Sequence, residues 1–512
     1  MAGGSMSGKG GAVNTGGLPA QERRETAGSS QSPHSSVEAC NERGAKGDRK
    51  VEPSSEGRSE ASSPQVPATD KQGEEDLWVR HKAERGVWSE KMLMALEQGV
   101  KGNVWFSLID KVCAARTLEL AWAKVLSNAG ACGVDGITVK HFAKDSQNRL
   151  LAVKEHISEG TYQPRPVKRV YIPKLGSSEK RPLGIPTVRD RVVQTALRMV
   201  IEPVFEREFA EHSYGFRPGR GCKDALRRVD ELLQSGLVHV VDVDIKGYFD
   251  SIPHNRLMQR VRERIADGRV LGLIENFLKQ GIMNPMGWIE AEEQDEGTPQ
   301  GGVISPLLAN IYLNPLDHLM SKSGYEMVRY ADDMVILCPS AETAQTALQT
   351  LREWATQAGL ELHPEKTRIV EMGQPGSHFD FLGYRFWRGR TSGQLRRFIR
   401  PKSKKKLRES IKPLTRRCNG RSLRAIVELL QPRLQGFFGY FKHASAEALR
   451  DVDQWIRGRL RGILRQRAGL RGRGRGRDHQ RWNNHYFTDL GLFSLEDARR
   501  KAHISLHQAA TC

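Results

Sequence analysis

The sequence predicts an α+β fold, an antiparallel sheet backed by helices, followed by a basic region that is mainly helical. Three observations predict it. Strand and helix patterns alternate from about Trp105 to Phe386. After Arg400 the pattern turns helical and basic, and from Arg400 to Arg477 there are 23 Lys and Arg against 5 Asp and Glu, a net of +18. Residues 1–77 stand apart, with no Phe, Tyr, Trp or Ile. Such a segment cannot bury enough apolar surface to offset chain entropy and is expected to be a disordered tail.

The elements follow in order. Helical spacing runs through SEKMLMALEQGVKGNVWFSLIDKV, so order is expected to begin near Trp78. KRVYIPK reads as a strand, and RDRVVQTALRMVIEPVFEREF as a long helix. In HVVDVDIKGYFDSI, Val241, Val243 and Ile245 alternate with Asp242, Asp244 and Lys246, the period of a strand with one apolar face. GGVISPLLANIYLNPLDHLM reads as an amphipathic helix, VRYADDMVILC as a hairpin, and AETAQTALQTLREWATQAG as a helix. FDFLGYRF is expected to be the last strand. Two basic helices follow, LRAIVELLQPRLQGFFGYF and ALRDVDQWIRGRLRGILRQR, and then RGRGRGR as a flexible loop. In the first of these helices Phe437, Phe438, Tyr440 and Phe441 are spaced as a packing face.

Size and charge narrow the function. A chain of 512 residues has room for two or three domains, and a net charge of +20 points to a polyanionic partner. A block of one sign binds phosphate backbone more readily than it serves as a mixed solvated surface. The seven cysteines are scattered with no CxxC pair, which argues against a zinc ribbon or a disulfide framework and fits a reducing compartment. No apolar run reaches membrane-spanning length and no secretory signal is visible, so a cytoplasmic protein without membrane partners is expected.

The chemistry gathers around Asp332 and Asp333, side by side between apolar flanks. One reading is a hairpin turn, where Asp is common. The other is a metal site, because a divalent cation offsets the repulsion between neighbouring carboxylates. Asp244, near the end of its strand on the polar face, is the natural third acid. Three such carboxylates would form a nest for two Mg2+ ions about 3.5–4 Å apart, the minimum for polymerase-type phosphoryl transfer.

These residues carry a family resemblance. Tyr330-Ala331-Asp332-Asp333 resembles the YxDD motif of reverse transcriptases, and Asp244 to Asp250 resembles their upstream catalytic motif. GTPQGGVISPLLANIYL, Gly297 to Leu313, is similar to the PQG block of group II intron reverse transcriptases. GVDGIT at Gly133, YIPKLGSSEKRPLGIPTVRDRVVQ, HSYGFRPGRGC, EKTRIV and FDFLGYRF fall in the family's order. LQGFFGYF with DVDQWIRGRLR resembles domain X, the thumb or maturase segment. The resemblance implies a right-hand polymerase: fingers and palm over 78–386, a basic helical thumb over 387–478, and a C-terminal extension over 479–512. Many relatives carry a C-terminal HNH endonuclease with paired cysteines. Here only Cys418 and Cys512 follow the palm, so that domain is expected to be missing and mobility to need a DNA end made elsewhere.

The resemblance also implies roles. Asp244 and Asp332 are the principal metal ligands, with Asp333 and the Ile245 carbonyl as further ones, for two Mg2+ ions with Mn2+ as substitute. Phe249 lies under the sugar of the incoming dNTP, where a ring clashes with a 2′-OH, and Tyr248 is the second candidate. Lys174 and Arg181 flank a hairpin and face the triphosphate. Gln300 touches the nucleotide and Gly301 the template, and Lys366 sits near the leaving pyrophosphate. Arg217 and Arg220 grip template phosphate. Lys402, Lys404, Lys405 and Lys406 add salt-sensitive RNA affinity. Asp242, Asp250 and His254 are read as structural. The implied partners are intron RNA, an RNA template with a DNA primer, a DNA target and dNTPs, in a bacterial cytoplasm beside the nucleoid. Rival readings are an RNA-binding splicing factor with little or no polymerase activity, a defence-associated reverse transcriptase, and an RNA-dependent RNA polymerase.

Overall fold

The computed structural model describes residues 86–173, 180–290, 295–389, 394–472 and 474–509. The tail over 1–77, the expected start of order at Trp78, and Lys174 lie outside them.

The first helical stretch is broken where one continuous pattern was expected. Helix α1 (Glu90–Gln98) stops before Gly99, and the chain runs through a short 3-10 turn and an extended segment before α2 (Ile109–Cys113). Helices α3 (Ala115–Asn128), α4 (Val139–Ala143) and α5 (Ser146–Glu159) follow. Strands β1 (Val167–Pro173) and β2 (Lys180–Ile185) form the expected antiparallel hairpin, with Ile172 opposite Arg181. The long helix α6 (Val188–Glu206) is buried along most of its length. Thr187 caps it by accepting from the Asp190 N–H at 3.1 Å, and Asp190 in turn accepts from Tyr162 Oη at 2.6 Å.

Helix α7 (Cys222–Gln234) leads into β3 (His239–Asp244), and α8 (His254–Arg262) and α9 (Gly268–Leu278) come next. Short strands β4 (Ile282–Met283) and β5 (Ile289–Glu290) join the first hairpin in a sheet ordered β2-β1-β4-β5. Helix α10 (Ser305–Lys322) is enclosed on more faces than an amphipathic helix would be, burying Ser305, Asn310 and Asp317 along with its apolar residues. Strands β6 (Glu326–Tyr330) and β7 (Asp333–Cys338), helix α11 (Ala341–Gln357) and β8 (Arg368–Glu371) complete the central antiparallel sheet, ordered β6-β7-β3-β8.

That sheet separates two cores, as strand alternation requires. Val241, Val243, Met334 and Ile336 face the helices α6, α10 and α11. Val240, Val335 and Leu337 face the C-terminal half of the chain. Full burial of each such side chain contributes about 1.5–3 kcal/mol. FDFLGYRF proves to be a hairpin and not one strand: β9 (His378–Phe381) and β10 (Tyr384–Arg388) are joined by a two-residue turn at Leu382 and Gly383. Strand β11 (Leu395–Ile399) extends it.

Helices α12 (Pro401–Ile411), α13 (Leu423–Phe441) and α14 (Ala446–Arg467) then build the basic region. Phe441 is buried and Phe437, Phe438 and Tyr440 pack against the same core, as their spacing predicts. Helices α15 (Arg477–Arg481), α16 (Asn484–Asp489) and α17 (Leu495–Ala509) close the described chain, and Trp482, Phe487 and Leu495 join this second core. Among the described residues no helix is long and apolar enough to cross a membrane.

Candidate active site

Strands β6 and β7 pair Tyr330 with Asp333, leaving Ala331 and Asp332 as a two-residue turn. The hairpin turn raised by the sequence is therefore present, and it places Asp332 at its tip, outside the strand pairing. On the other side of β7, Asp244 pairs with Asp333 at the end of β3. Asp332 feels Asp244 as a like charge: burial first, then this repulsion, raises its carboxyl, while Arg181 and Arg329 oppose the shift. Asp244 is held by Lys366, whose Nζ lies 2.7 Å from Oδ2. Beyond Asp244 the backbone of Lys246 donates to Glu361 and that of His363 to Asp244, so Ile245 turns its own carbonyl away from that neighbouring segment.

Asp333 is directed elsewhere. Adjacent residues on a strand point apart, and the Leu382 backbone in the β9–β10 turn is among the groups that act on the Asp333 carboxyl, lowering it. Although the residue keeps some exposed surface, its carboxylate is desolvated; burial, then Asp332, pushes it up to about 7. The expected nest of three acids does not close: among the described residues no three His, Cys, Asp or Glu side chains are placed to hold a metal. Asp244 and Asp332 remain as a pair of hard oxygen donors. Such a pair fits Mg2+, which characteristically takes one or two carboxylates and completes its shell with water and substrate phosphate.

The turn is held from beneath by residues that the sequence reading missed. Ala331 has φ of 58°, a conformation that costs a non-glycine residue about 1–2 kcal/mol. Arg329, 1% exposed, offsets this by donating from Nη1 to the Ala331 carbonyl at 3.0 Å. The same guanidinium binds Asp317 Oδ1 at 2.7 Å, Asn310 Oδ1 at 2.9 Å and Ser213 Oγ at 2.7 Å. Gly215 packs its backbone directly on the turn: a Cβ there would lie 2.2 Å from the Ala331 nitrogen. The available signals were an arginine in an otherwise apolar strand and a glycine in HSYGF, neither of which names its partner.

The PQG block ties this centre to the first hairpin. Thr298 donates its N–H to the Phe249 carbonyl at 2.6 Å, and Gly184 donates to the Gln300 carbonyl at 2.6 Å. Gly301, at φ 113°, passes so close to β2 that a Cβ would meet the Gly184 oxygen at 2.2 Å. Its observed neighbour is thus protein backbone. Gln300 Nε2 donates to Asp250 Oδ2 at 2.9 Å, beside a cavity of about 600 Å3 that Arg169, Tyr171, Pro182, Asp250, Thr298 and Gln300 line. Burial raises the Asp250 carboxyl, with Gln300, Arg169 and Arg181 opposing. The Arg181 charge therefore acts on both Asp250 and Asp332.

Other predicted residues sort by burial. Phe249 is half-buried, whereas Tyr248 is fully buried with its hydroxyl on the Ala309 carbonyl at 2.6 Å, which removes it as a sugar-contacting residue. Arg217 is corrected too: it is buried, with Nε 3.1 Å from Glu206 and Nη1 on the carbonyls of Ala210 and Ser213, so it cannot reach template phosphate. Arg220 is bonded to the Glu211 carbonyl and lies over the Tyr214 ring. Lys402, Lys405 and Lys406 are exposed on α12, while Lys404 pairs with Asp451 at 3.2 Å. His254 Nε2 bonds the Gly297 carbonyl at 2.6 Å and Asp242 pairs with Arg368 at 3.5 Å.

Comparison with known proteins bears on this geometry. Residues 172–386 match the family "Reverse transcriptase (RNA-dependent DNA polymerase)", whose members generally use divalent metal ions, and residues 404–482 match "Group II intron, maturase-specific domain". Protein YkfC of Escherichia coli is 34% identical over 53% of this chain and 80% of its own. The group II intron-encoded protein LtrA of Lactococcus lactis is 40% identical over 39% of this chain, but the match spans only 32% of LtrA. The nuclear intron maturase 1, mitochondrial, of Arabidopsis thaliana is 28% identical over 38% of this chain and 33% of its own. With an acid pair on a palm-like sheet, both family matches in order, and a relative matched over most of its length, the chain belongs to the group II intron reverse transcriptase/maturase family, an RNA-directed DNA polymerase joined to a maturase domain.

Proposed function

We propose that this chain copies RNA into DNA at the Asp244–Asp332 pair by two-metal-ion nucleotidyl transfer, and that its basic helices hold intron RNA in a splicing-active shape. The single observation that carries the catalytic reading is the strained Ala331–Asp332 turn at the end of β7, where Asp333 pairs with Asp244 of β3. Asp244, Asp332 and the Ile245 carbonyl would hold the ions, two Mg2+ or Mn2+ in their place. Bound there, divalent cations supply the charge that lowers the pKa of the attacking 3′-hydroxyl and stabilises the pyrophosphate leaving group. Asp333 acts as a positioning residue, fastening the turn to Leu382. Arg181, together with Lys174, receives the triphosphate, and Gln300 orients the nucleotide from the PQG side. Phe249 excludes the 2′-OH. Lys366 shifts from Asp244 toward the departing phosphates as substrate enters. Exposed Lys402, Lys405 and Lys406 contribute sequence-independent attraction to RNA. The partners on this reading are an RNA template with a DNA primer, dNTPs, intron RNA and a DNA target, in the cytoplasm near the nucleoid.

The test is primer extension on an RNA template with dNTPs and Mg2+, wild type beside Asp332→Ala. Extension by wild type alone supports the assignment. No extension by either, with RNA binding retained, would favour a splicing factor without polymerase activity, and extension by both would show the centre to be misplaced.

A further inference from the structure

A second cavity, of about 550 Å3, lies between β11, the start of α14 and α17. Arg396 and Arg397 of β11, Arg450 of α14 and Arg499 of α17 line it. Ser445 caps α14, fixed in place by its own N–H on the Arg397 carbonyl at 2.7 Å. Its side chain accepts only from Ala448, and the first-turn N–H groups of Ala446 and Glu447, both lining the cavity, have no acceptor within the helix.

The charges here are unequally matched. Arg396 reaches Glu447 at 3.9 Å, Arg397 reaches Asp230 at 3.5 Å, and Arg450 pairs with Glu496 at 2.8 Å. Arg499 has no carboxylate within ion-pair distance among the described residues, and its Nε is buried without a hydrogen-bond partner. Burial and the like charge of Arg397 both act against its protonated form. The positive field extends beyond the arginines: His443, on the cavity wall, is lowered by desolvation and then by Arg397, Lys442, Lys223 and Arg227. A buried N–H with no acceptor, two neighbouring guanidiniums and a helix N-terminus are the elements of an anion site.

We propose that this cavity seats a backbone phosphate of RNA between Arg397 and Arg499, on the first turn of α14. The proposal rests on the reading of the chain as an RNA-handling maturase and gives that reading a particular contact. The volume exceeds that of one phosphate and suits a stretch of sugar-phosphate chain. A planar guanidinium fork matches two phosphate oxygens, which an ammonium does not.

The experiment is filter binding of a double-stranded RNA hairpin across a salt series, comparing wild type with Arg499→Gln and Arg499→Lys. Losing one charge-assisted contact should weaken binding about tenfold and reduce the slope of log K against log salt by about one. Arg499→Lys, with the charge but not the fork, should fall between. Primer extension on a short unstructured template should be unchanged in both variants, which separates failure here from failure of the polymerase assignment. Inorganic phosphate is the second probe, read by thermal melting. Equal salt slopes with a phosphate-induced rise in the wild type alone would identify a free anion as occupant and overturn RNA docking. Equal slopes with no phosphate effect would overturn the site itself. If Arg499→Gln does not fold, Arg396→Gln, at an exposed position on the same rim, reports the same slope.

Discussion

Replacing Gly215 by alanine tests whether the Ala331–Asp332 turn is set by its backing. The added Cβ would lie 2.2 Å from the Ala331 nitrogen and 2.8 Å from the Tyr330 carbonyl carbon. Non-bonded carbon contacts settle near 3.5–4.0 Å, so the two backbones must separate by about 1 Å or more. Gly215 itself is poorly placed to yield. Its carbonyl accepts from Asn310 Nδ2 at 2.7 Å, and the preceding Tyr214 N–H is bonded to the Arg329 carbonyl at 2.9 Å. The turn is the part that moves, carrying Asp332 with it. A displacement of about 1 Å in a reacting group costs about 100-fold in rate, or about 2.7 kcal/mol of transition-state stabilisation. Single-turnover primer extension at saturating dNTP should therefore show kcat down about 100-fold. The KM for dNTP should change little, because Arg181 and Gln300 stand on other elements. A thermal melt close to wild type would confirm that the fold survives. Extension within threefold of wild type would refute the argument, because the turn would then tolerate displacement or Asp332 would not be positioned by it.

Three further outcomes follow from the same centre. Arg329→Met leaves Asp317, 5% exposed, without its partner, and should lower stability by about 3–5 kcal/mol in urea unfolding; an unchanged midpoint would mean the pair is not buried as described. Asp333, pushed up to about 7, keeps in the native state a proton that the unfolded chain loses, so stability falls as pH rises from about 4 through 7. Asp333→Asn should melt with wild type at pH 4 and above it at pH 8, both in EDTA, and coincidence at pH 8 would count against a desolvated carboxylate. Phe249→Ala should raise ribonucleotide incorporation about tenfold or more in primer extension; no change would place sugar selection on another residue.

What the sequence disclosed was whatever repeats locally. The alternation of Val241, Val243 and Ile245 with Asp242 and Asp244 is a property of one strand, and β3 follows it, apolar residues on one core and acids on the other face. The bounds of α13 coincide with the pattern LRAIVELLQPRLQGFFGYF because its apolar period is unbroken. Expectations missed where a short irregularity outweighed the pattern. Two residues, Leu382 and Gly383, turn FDFLGYRF into a hairpin, and the backbone of that turn acts on the Asp333 carboxyl. Arg217 resembled a template contact because it stands in a basic, glycine-rich loop. Its burial is decided by Glu206, eleven residues earlier, at the end of α6.

The residues that hold the site are of a third kind. Gly215 and Ala331 are in contact across 116 positions of chain, and Gly301 meets Gly184 across 117. Neither glycine has a side chain to advertise its role, since what is selected is the absence of a Cβ against another backbone. Arg329 carries the same lesson in charge. Read alone it is a cation misplaced in an apolar strand, but four acceptors from three segments converge on it, and one of them is the carbonyl of the strained turn. Breaking a buried pair costs more than the pair's net worth, because the remaining charge is left without solvent or partner. The network therefore resists movement more than it adds stability, and resistance to movement is what a two-carboxylate centre requires. Among the described residues no third carboxylate joins Asp244 and Asp332, so on the reading proposed above the position of Asp332 depends on the backbone contacts beneath it.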